Sequence, residues 1–212
     1  MLTVALKPAP ARGLGADLSA RFAAVCREVA VAPIPSDSLH DDSDQAYGDR
    51  VFLRHYCVHL SGADPAHEWP AFPADVRAAR GFNGDLALHA DRWRAALGEG
   101  TDPRRLGRAL ARKTLLAIAG LVSIHDRTWT TDRTTAARRW AELHPELASD
   151  LDVLLAWSES RAHTDDATIQ RALNGIITPT VSAFSTQIGL WTQRVARWSG
   201  PDTGGLSSGE CW

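Results

Sequence analysis

The sequence predicts an α+β protein that is mainly α, with a short mixed α/β segment leading into a C-terminal antiparallel helical bundle. Three observations carry this expectation. Short β-branched and aromatic runs broken by prolines are confined to residues 1–74. From about Asp75 onward, apolar residues recur at three- and four-residue steps. Helix-start signals, Asp102-Pro103 above all, then divide that second stretch into elements of ordinary length.

Thr3 to Leu6 reads as a short strand closed by Pro8 and Pro10. Asp17 or Ser19 is a candidate cap for a helix carrying Leu18, Phe22, Val25 and Val29. Val29 to Ile34 is a second strand ended by prolines, and the acidic, polar stretch from Pro35 to Asp49 reads as a loop. Val51 to Leu60 suits either state. Phe52, Tyr56 and Leu60 have helical spacing, whereas the density of β-branched and aromatic residues favours the strand adopted here. Leu86, Ala90, Trp93 and Leu97 form a helical stripe stopped by Gly98 and Gly100. The helix opened by Asp102-Pro103 extends to about His125, and its second half, Thr114 to Ile124, is apolar almost all round. Such a helix belongs at the bundle centre, where Gly120 would admit a close neighbour. Thr131-Asp132 starts a helix to Leu143, and Pro145-Glu146 another to about Trp157. Asp165-Asp166 opens the longest helix, from Ile169 to Val195, with a kink at Pro179. The chain thus divides into residues 1–74, a bundle over residues 75–198 and a Gly- and Ser-rich tail over residues 199–212.

A length of 212 residues leaves room for one large domain or two small ones with a substantial core. A net charge of -2 gives no global attraction to nucleic acid or anionic membrane, so a nucleic-acid binder would have to show a local basic patch. No run of about 18 apolar residues spans a bilayer. The opening from Met1 to Pro8 is too short for a secretory signal, and Cys26, Cys57 and Cys211 are odd in number, which together fit the cytoplasm. Only Lys7 and Lys113 are lysines among 23 basic residues, a bias typical of a GC-rich bacterial genome.

That bias makes the stretch from Arg104 to Lys113 informative. Arg104, Arg108 and Arg112 stand four residues apart on one helical ridge, flanked by Arg105 and Lys113. Like charges at this spacing cost about 0.2–0.5 kcal/mol per pair unless something offsets them. An anion such as a nucleotide triphosphate would do so, giving Arg105, Arg108, Arg112 and Lys113 as candidate anion-binding residues; ion pairing or plain solvation is the ordinary alternative. Lys113 stands where the helix turns apolar, and a compact ammonium there suits a phosphate oxygen.

Other groups are weaker candidates. On a strand, His55, Cys57 and His59 would share one face, with His55 and His59 as acid–base catalysts or parts of a metal set lacking a fourth ligand. No metal site is expected. Asp42-Ser43-Asp44, with Asp37 and Asp41 near, has a chelating spacing but reads as a solvated loop, and Asp150 and Asp152 diverge on a helix. His125 could line a cleft, as could His89, and Trp129, beside Thr130 and Thr131, could stack on a substrate.

The run from Ala111 through Gly120 to Asp126 resembles the central helix of the C-terminal domain in small-molecule, aminoglycoside-type nucleotidyltransferases. Trp129-Thr130-Thr131-Asp132-Arg133 and Ala136 to Trp140 resemble its following loop and helix, and Val58 to Pro65 resembles the strand end closing the catalytic domain. The resemblance covers roughly residues 51–198. It implies a two-part enzyme in which an α/β domain holds two Mg²⁺ ions, ATP is the nucleotide, and an AMP moiety passes to a substrate hydroxyl. A lysine matching Lys113 would contact the triphosphate, and a homodimer would follow by analogy. The chain departs from the family in the chemistry itself. It contains no Gly-Ser dipeptide, and no Asp-x-Asp follows on a strand, so the metal-binding carboxylates are missing. Leu2 to Leu6 looks like the tail of the strand that should carry them, which leaves Met1 in doubt as the true start, and Glu28 matches a third carboxylate only weakly. Two functions are therefore expected. One is a nucleotidyltransferase-like protein, impaired in transfer, that binds a nucleotide triphosphate or a hydroxylated substrate. The other is a repurposed scaffold in bacterial, actinobacterial-type secondary metabolism, doing metal-free acid–base chemistry or small-molecule binding.

Overall fold

The structure is a computed structural model that describes residues 2–4, 8–26, 29, 31–130 and 132–191. Lys7, Glu28, Thr131, Trp198, Cys211 and the tail at residues 199–212 lie outside these. The chain is mainly helical. Its strands, among the described residues, are β1 (Leu2–Val4) and β2 (Val31–Pro33), paired parallel with Leu2 opposite Val31.

A parallel pair needs a crossover, and α1 (Pro8–Arg21) supplies it. Pro8 and Pro10 therefore begin a helix rather than merely closing a strand, because a first turn has no use for their missing N–H groups. The helix expected from Asp17 onward is displaced towards the N-terminus. It ends at Arg21, Val25 is 79% exposed and Phe22 41%, so no buried stripe runs to Val29. Ser19 instead accepts a hydrogen bond from the Val29 backbone N–H at 2.8 Å, tying the helix to the approach of β2.

The larger correction concerns residues 35–60. A 3₁₀ turn at Asp37–His40 leads into α2 (Asp44–Tyr56), where a loop and then a strand were expected. Ser43 caps α2 by accepting from the Ala46 N–H at 3.2 Å. The helix alternative at Phe52 and Tyr56 thus prevails, and residues 57–60 are irregular. α2 packs across α3 (Val76–Asn83), itself capped by Asp75. The crossing is a glycine contact: a Cβ on Gly48 would stand 2.7 Å from the Gly81 carbonyl carbon. Asp44 pairs with Arg80 at 2.7 Å, and Asp42 with Arg77 at 2.6 Å. The acidic Asp42-Ser43-Asp44 triplet is thereby committed to arginines of α3.

Asp49 on α2 has a different environment. Burial, only partly offset by Arg50, raises its carboxyl pKa to about 6. A folded pKa above the unfolded value means stability is highest at low pH and falls as pH rises through about 6. Asp49→Asn is expected to raise stability at pH 7 by about 1–2 kcal/mol, discounted for remaining solvent contact. Melts from pH 4 to 8 should show the gain vanishing at the acid end.

α4 (Leu86–Gly98) and α5 (Pro103–Asp126) match their expected bounds closely. Asp102 caps α5, accepting from the Arg104 N–H at 3.2 Å. Leu110, Leu115, Ile118 and Leu121 of α5 are fully or almost fully buried, placing this helix at the centre of the core as its composition requires. Gly120 meets Ala79 and Phe184 only at ordinary contact distance, so the close approach expected there occurs at Gly48 and Gly81 instead. α6 (Arg133–Leu143) and α7 (Ala148–Ser158) pack on α5 and on each other. Asp165 then opens α8 (Asp166–Ala172), which passes through a π-helical turn, Leu173–Ile177, into α9 (Thr178–Gln187). The widened turn directly precedes Pro179, where a kink was expected. Thr178 Oγ1 donates to the Leu173 carbonyl at 2.7 Å across it. The helix ends at Gln187, short of Val195, and is exceeded in length by α5. Gly189, at φ +90°, turns the chain so that Trp191 donates to the Arg80 carbonyl at 2.8 Å. Among the described residues no helix is long and apolar enough to cross a membrane.

Candidate anion-binding site

The connection between α5 and α6 creates the site. Arg127 adopts a left-handed conformation, φ 54°, and reverses the chain at the end of α5. The loop then runs back along the helix. Ser123, one turn inside α5, accepts from the Thr130 N–H at 3.1 Å while donating to the Ala119 carbonyl at 2.7 Å. α6 therefore begins beside the middle of α5 and advances towards its end, where Arg139 pairs with Asp126 at 3.0 Å.

The consequence is that Arg133, the first residue of α6, lies with the arginine ridge of α5. Arg112 and Arg133 line one pocket of about 280 Å³ together with Asp132, Thr134, Leu155, Ser158 and Glu159. Arg108 stands one turn before Arg112, with its Nε buried and without a hydrogen-bond partner. Burial first, and then the positive charge of Arg112, depress the Arg133 pKa; Asp132 acts the other way and Arg108 adds to the depression. An arginine remains charged under these conditions. A cation in the first turn also faces the positive end of the helix dipole. Burial, the neighbouring guanidiniums and the helix dipole thus all act against the Arg133 charge, and Asp132 acts for it.

The other candidate residues lie elsewhere. Arg105 is exposed nearer the start of α5 and is not among the pocket-lining residues. Lys113, expected to meet a phosphate oxygen, points inward with its side chain only 7% exposed. Its ammonium pairs with Asp85 at 2.8 Å and donates to the Phe82 carbonyl at 3.2 Å. The second Asp85 oxygen holds His89 Nε2 at 3.1 Å. Burial alone would raise the Asp85 pKa, but the His89 hydrogen bond and the Lys113 charge outweigh it and bring the carboxyl down to about 2. Lys113 is therefore a structural cation in this fold.

His55 and His59 do not share a face. His55 belongs to α2, where its Nε2 accepts from the Phe72 N–H at 2.8 Å and its ring packs beside Trp129, centroids 5.8 Å apart. A nitrogen accepting from a backbone N–H carries no proton of its own. His59 is exposed in the irregular segment beyond. Trp129, expected to stack on a substrate, packs edge-on against Tyr56 and Phe82 and donates to the Phe72 carbonyl at 3.2 Å. His125 is exposed and bonded to Asp126 at 2.7 Å. It stands thirteen residues beyond Arg112 on α5, roughly 20 Å along the axis, so neither it nor Trp129 joins the arginine pocket.

No protein-family model matches the chain. No curated protein and no solved structure matches it either.

Among the described residues, no group of three or more His, Cys, Asp or Glu side chains is placed to hold a metal ion. The Mg²⁺ pair implied by the nucleotidyltransferase resemblance thus finds no fitting ligand set there. A larger cleft of about 440 Å³ lies between α7 and the segment Asp166–Ile177. Its walls are mainly apolar, including Val153, Ala156 and Ile176, and its charged rim mixes Asp150 and Asp152 with Arg171. Among the described residues Arg171 is the one arginine lining it, whereas Arg112 and Arg133 share the smaller pocket. Arg133 is the functional candidate that sequence spacing did not single out. The available signal was its place directly after the Asp132 cap, where a helix dipole disfavours a cation.

Proposed function

We propose that this chain binds a small phosphate-bearing molecule in the pocket lined by Arg112 and Arg133, with Arg108 one turn before Arg112 on the same ridge. The observation that supports it most is that Arg112 of α5 and Arg133 of α6 line one partly buried pocket, with Arg108 near enough to act on the Arg133 charge. Guanidinium forks match phosphate oxygens bidentately, and charge-assisted hydrogen bonds are among the stronger polar interactions. Thr134 and Ser158 add hydroxyls at the same place, and the first turn of α6 adds its dipole. The proposal keeps the phosphate-gripping part of the nucleotidyltransferase resemblance and moves it from Lys113 to Arg133. It is a proposal for binding, and no transfer step through Mg²⁺ belongs to it.

Calorimetric titration with inorganic phosphate at constant ionic strength tests this directly. Saturable binding is expected, weakened about tenfold or more in Arg133→Gln, equivalent to ~1.4 kcal/mol. Arg104→Gln, on the same ridge but outside the pocket, should bind as the parent does. Equal weakening by both substitutions, or no binding by the parent, would refute the site.

A further inference from the structure

Resting on that reading of the arginine pocket, we propose that it selects a small phosphate monoester of a polyhydroxy compound over a nucleoside triphosphate. The pocket's size points this way first. Pockets that enclose drug-sized ligands run from roughly 300 to 1,000 Å³, whereas this one offers about 280 Å³. One phosphate and a short hydroxylated body fill such a space; a triphosphate with its nucleoside does not.

Charge leads to the same class. Arg112 and Arg133 share the pocket with two carboxylates, Asp132 and Glu159, of which the latter also pairs with Arg161. A monoester dianion answers the cationic side without bringing further charge against the acidic one. The additional phosphates of a nucleoside triphosphate would lie against Asp132 or Glu159, and like charges at close range are strongly disfavoured in a partly dry site. The same carboxylates are good acceptors for sugar-type hydroxyls, whose recognition requires acceptors as well as donors. Ser158 and Thr134 serve either role. The hydroxyl-accepting groups of the pocket are thus Glu159, at the end of α7, and Asp132, directly before Arg133.

Calorimetry with four probes at constant ionic strength tests this: ribose 5-phosphate, inorganic phosphate, ribose and ATP. Ribose 5-phosphate is expected to bind at least tenfold more tightly than inorganic phosphate or ATP, with ribose alone not binding detectably. Glu159→Gln should weaken ribose 5-phosphate severalfold and strengthen ATP, because the acceptor and the repulsion are removed together. The Glu159 side chain is 49% exposed, and a thermal melt of the variant checks that its fold is kept. ATP binding as tightly as ribose 5-phosphate, equal affinities for ribose 5-phosphate and inorganic phosphate, or an unchanged preference in folded Glu159→Gln would each overturn the selectivity while leaving the phosphate site standing. Failure of every phosphate compound to bind would overturn the site itself, and this inference with it.

Discussion

Asp85→Ala is expected to cost about 3–5 kcal/mol of stability, the usual penalty for removing one member of a buried ion pair. The carboxylate links the corner between α3 and α4 to the central helix, since its two oxygens engage Lys113 and His89 separately. Without it, the Lys113 ammonium keeps a single carbonyl acceptor in a nearly closed environment. Lys113→Met in the same background should recover much of the loss, because a buried pair is often replaceable by apolar groups when both charges go together. Chemical denaturation of the parent, the single variant and the double variant measures this. An Asp85→Ala protein as stable as its parent would mean that the pair contributes nothing. The pH dependence follows from the lowered carboxyl pKa of about 2. A depressed folded pKa contributes stability above the unfolded value near 4, and that contribution is lost as pH falls towards 2. It amounts to about 2 kcal/mol in the parent and should be absent from Asp85→Ala.

Gly81→Val should be the next most damaging change, costing about 3 kcal/mol or somewhat more through overpacking. Even a bare Cβ at Gly81 would lie 2.5 Å from the Asp44 carbonyl oxygen and 2.8 Å from the Gly48 backbone nitrogen. Both obstacles are main-chain atoms, so relief requires moving α2 away from α3. That movement would also pull Asp44 from Arg80 and Asp42 from Arg77. Gly98→Ala is the matched control. It faces open space near the end of α4 and should be neutral, or stabilising by up to about 1 kcal/mol from helix propensity. Thermal melts of the two variants separate a tight helix crossing from a general intolerance of glycine replacement.

The parts of this fold visible in the sequence are those whose local chemistry is self-sufficient. Asp102 followed by Pro103 starts α5, Asp165 starts α8, and the apolar second half of α5 lies in the core. Each is decided within a few residues. Residues 44–56 were misread as loop and strand because their fate depends on a distant contact, the seating of Gly48 against Gly81. Polarity near Asp44 suggested a loop, yet Asp42 and Asp44 are polar because they pair with arginines more than thirty residues away. The His55, Cys57 and His59 alternation then lost its meaning, since it presumed a strand.

The candidate site was half legible. Arg108 and Arg112 were visible from their four-residue spacing, and Arg112 lines the pocket. Lys113 was misread because a lone lysine at a polar-to-apolar boundary looks alike whether it seeks a ligand or an internal carboxylate; Asp85, the deciding partner, comes from another helix. Arg133 was out of reach for a related reason. The loop pinned by Ser123 precedes it, and the packing of α6 on α5 sets it beside Arg112, which no local pattern announces.

The most direct test of the arginine pocket observes the guanidiniums themselves, through the side-chain Nε–H resonances in ¹⁵N–¹H NMR spectra assigned by single substitution. Added phosphate at constant ionic strength should shift the signals of Arg108, Arg112 and Arg133 along one common saturation curve, leaving Arg54 and Arg104 unmoved. Small shifts spread evenly over all the arginines, or none at the pocket, would contradict the site.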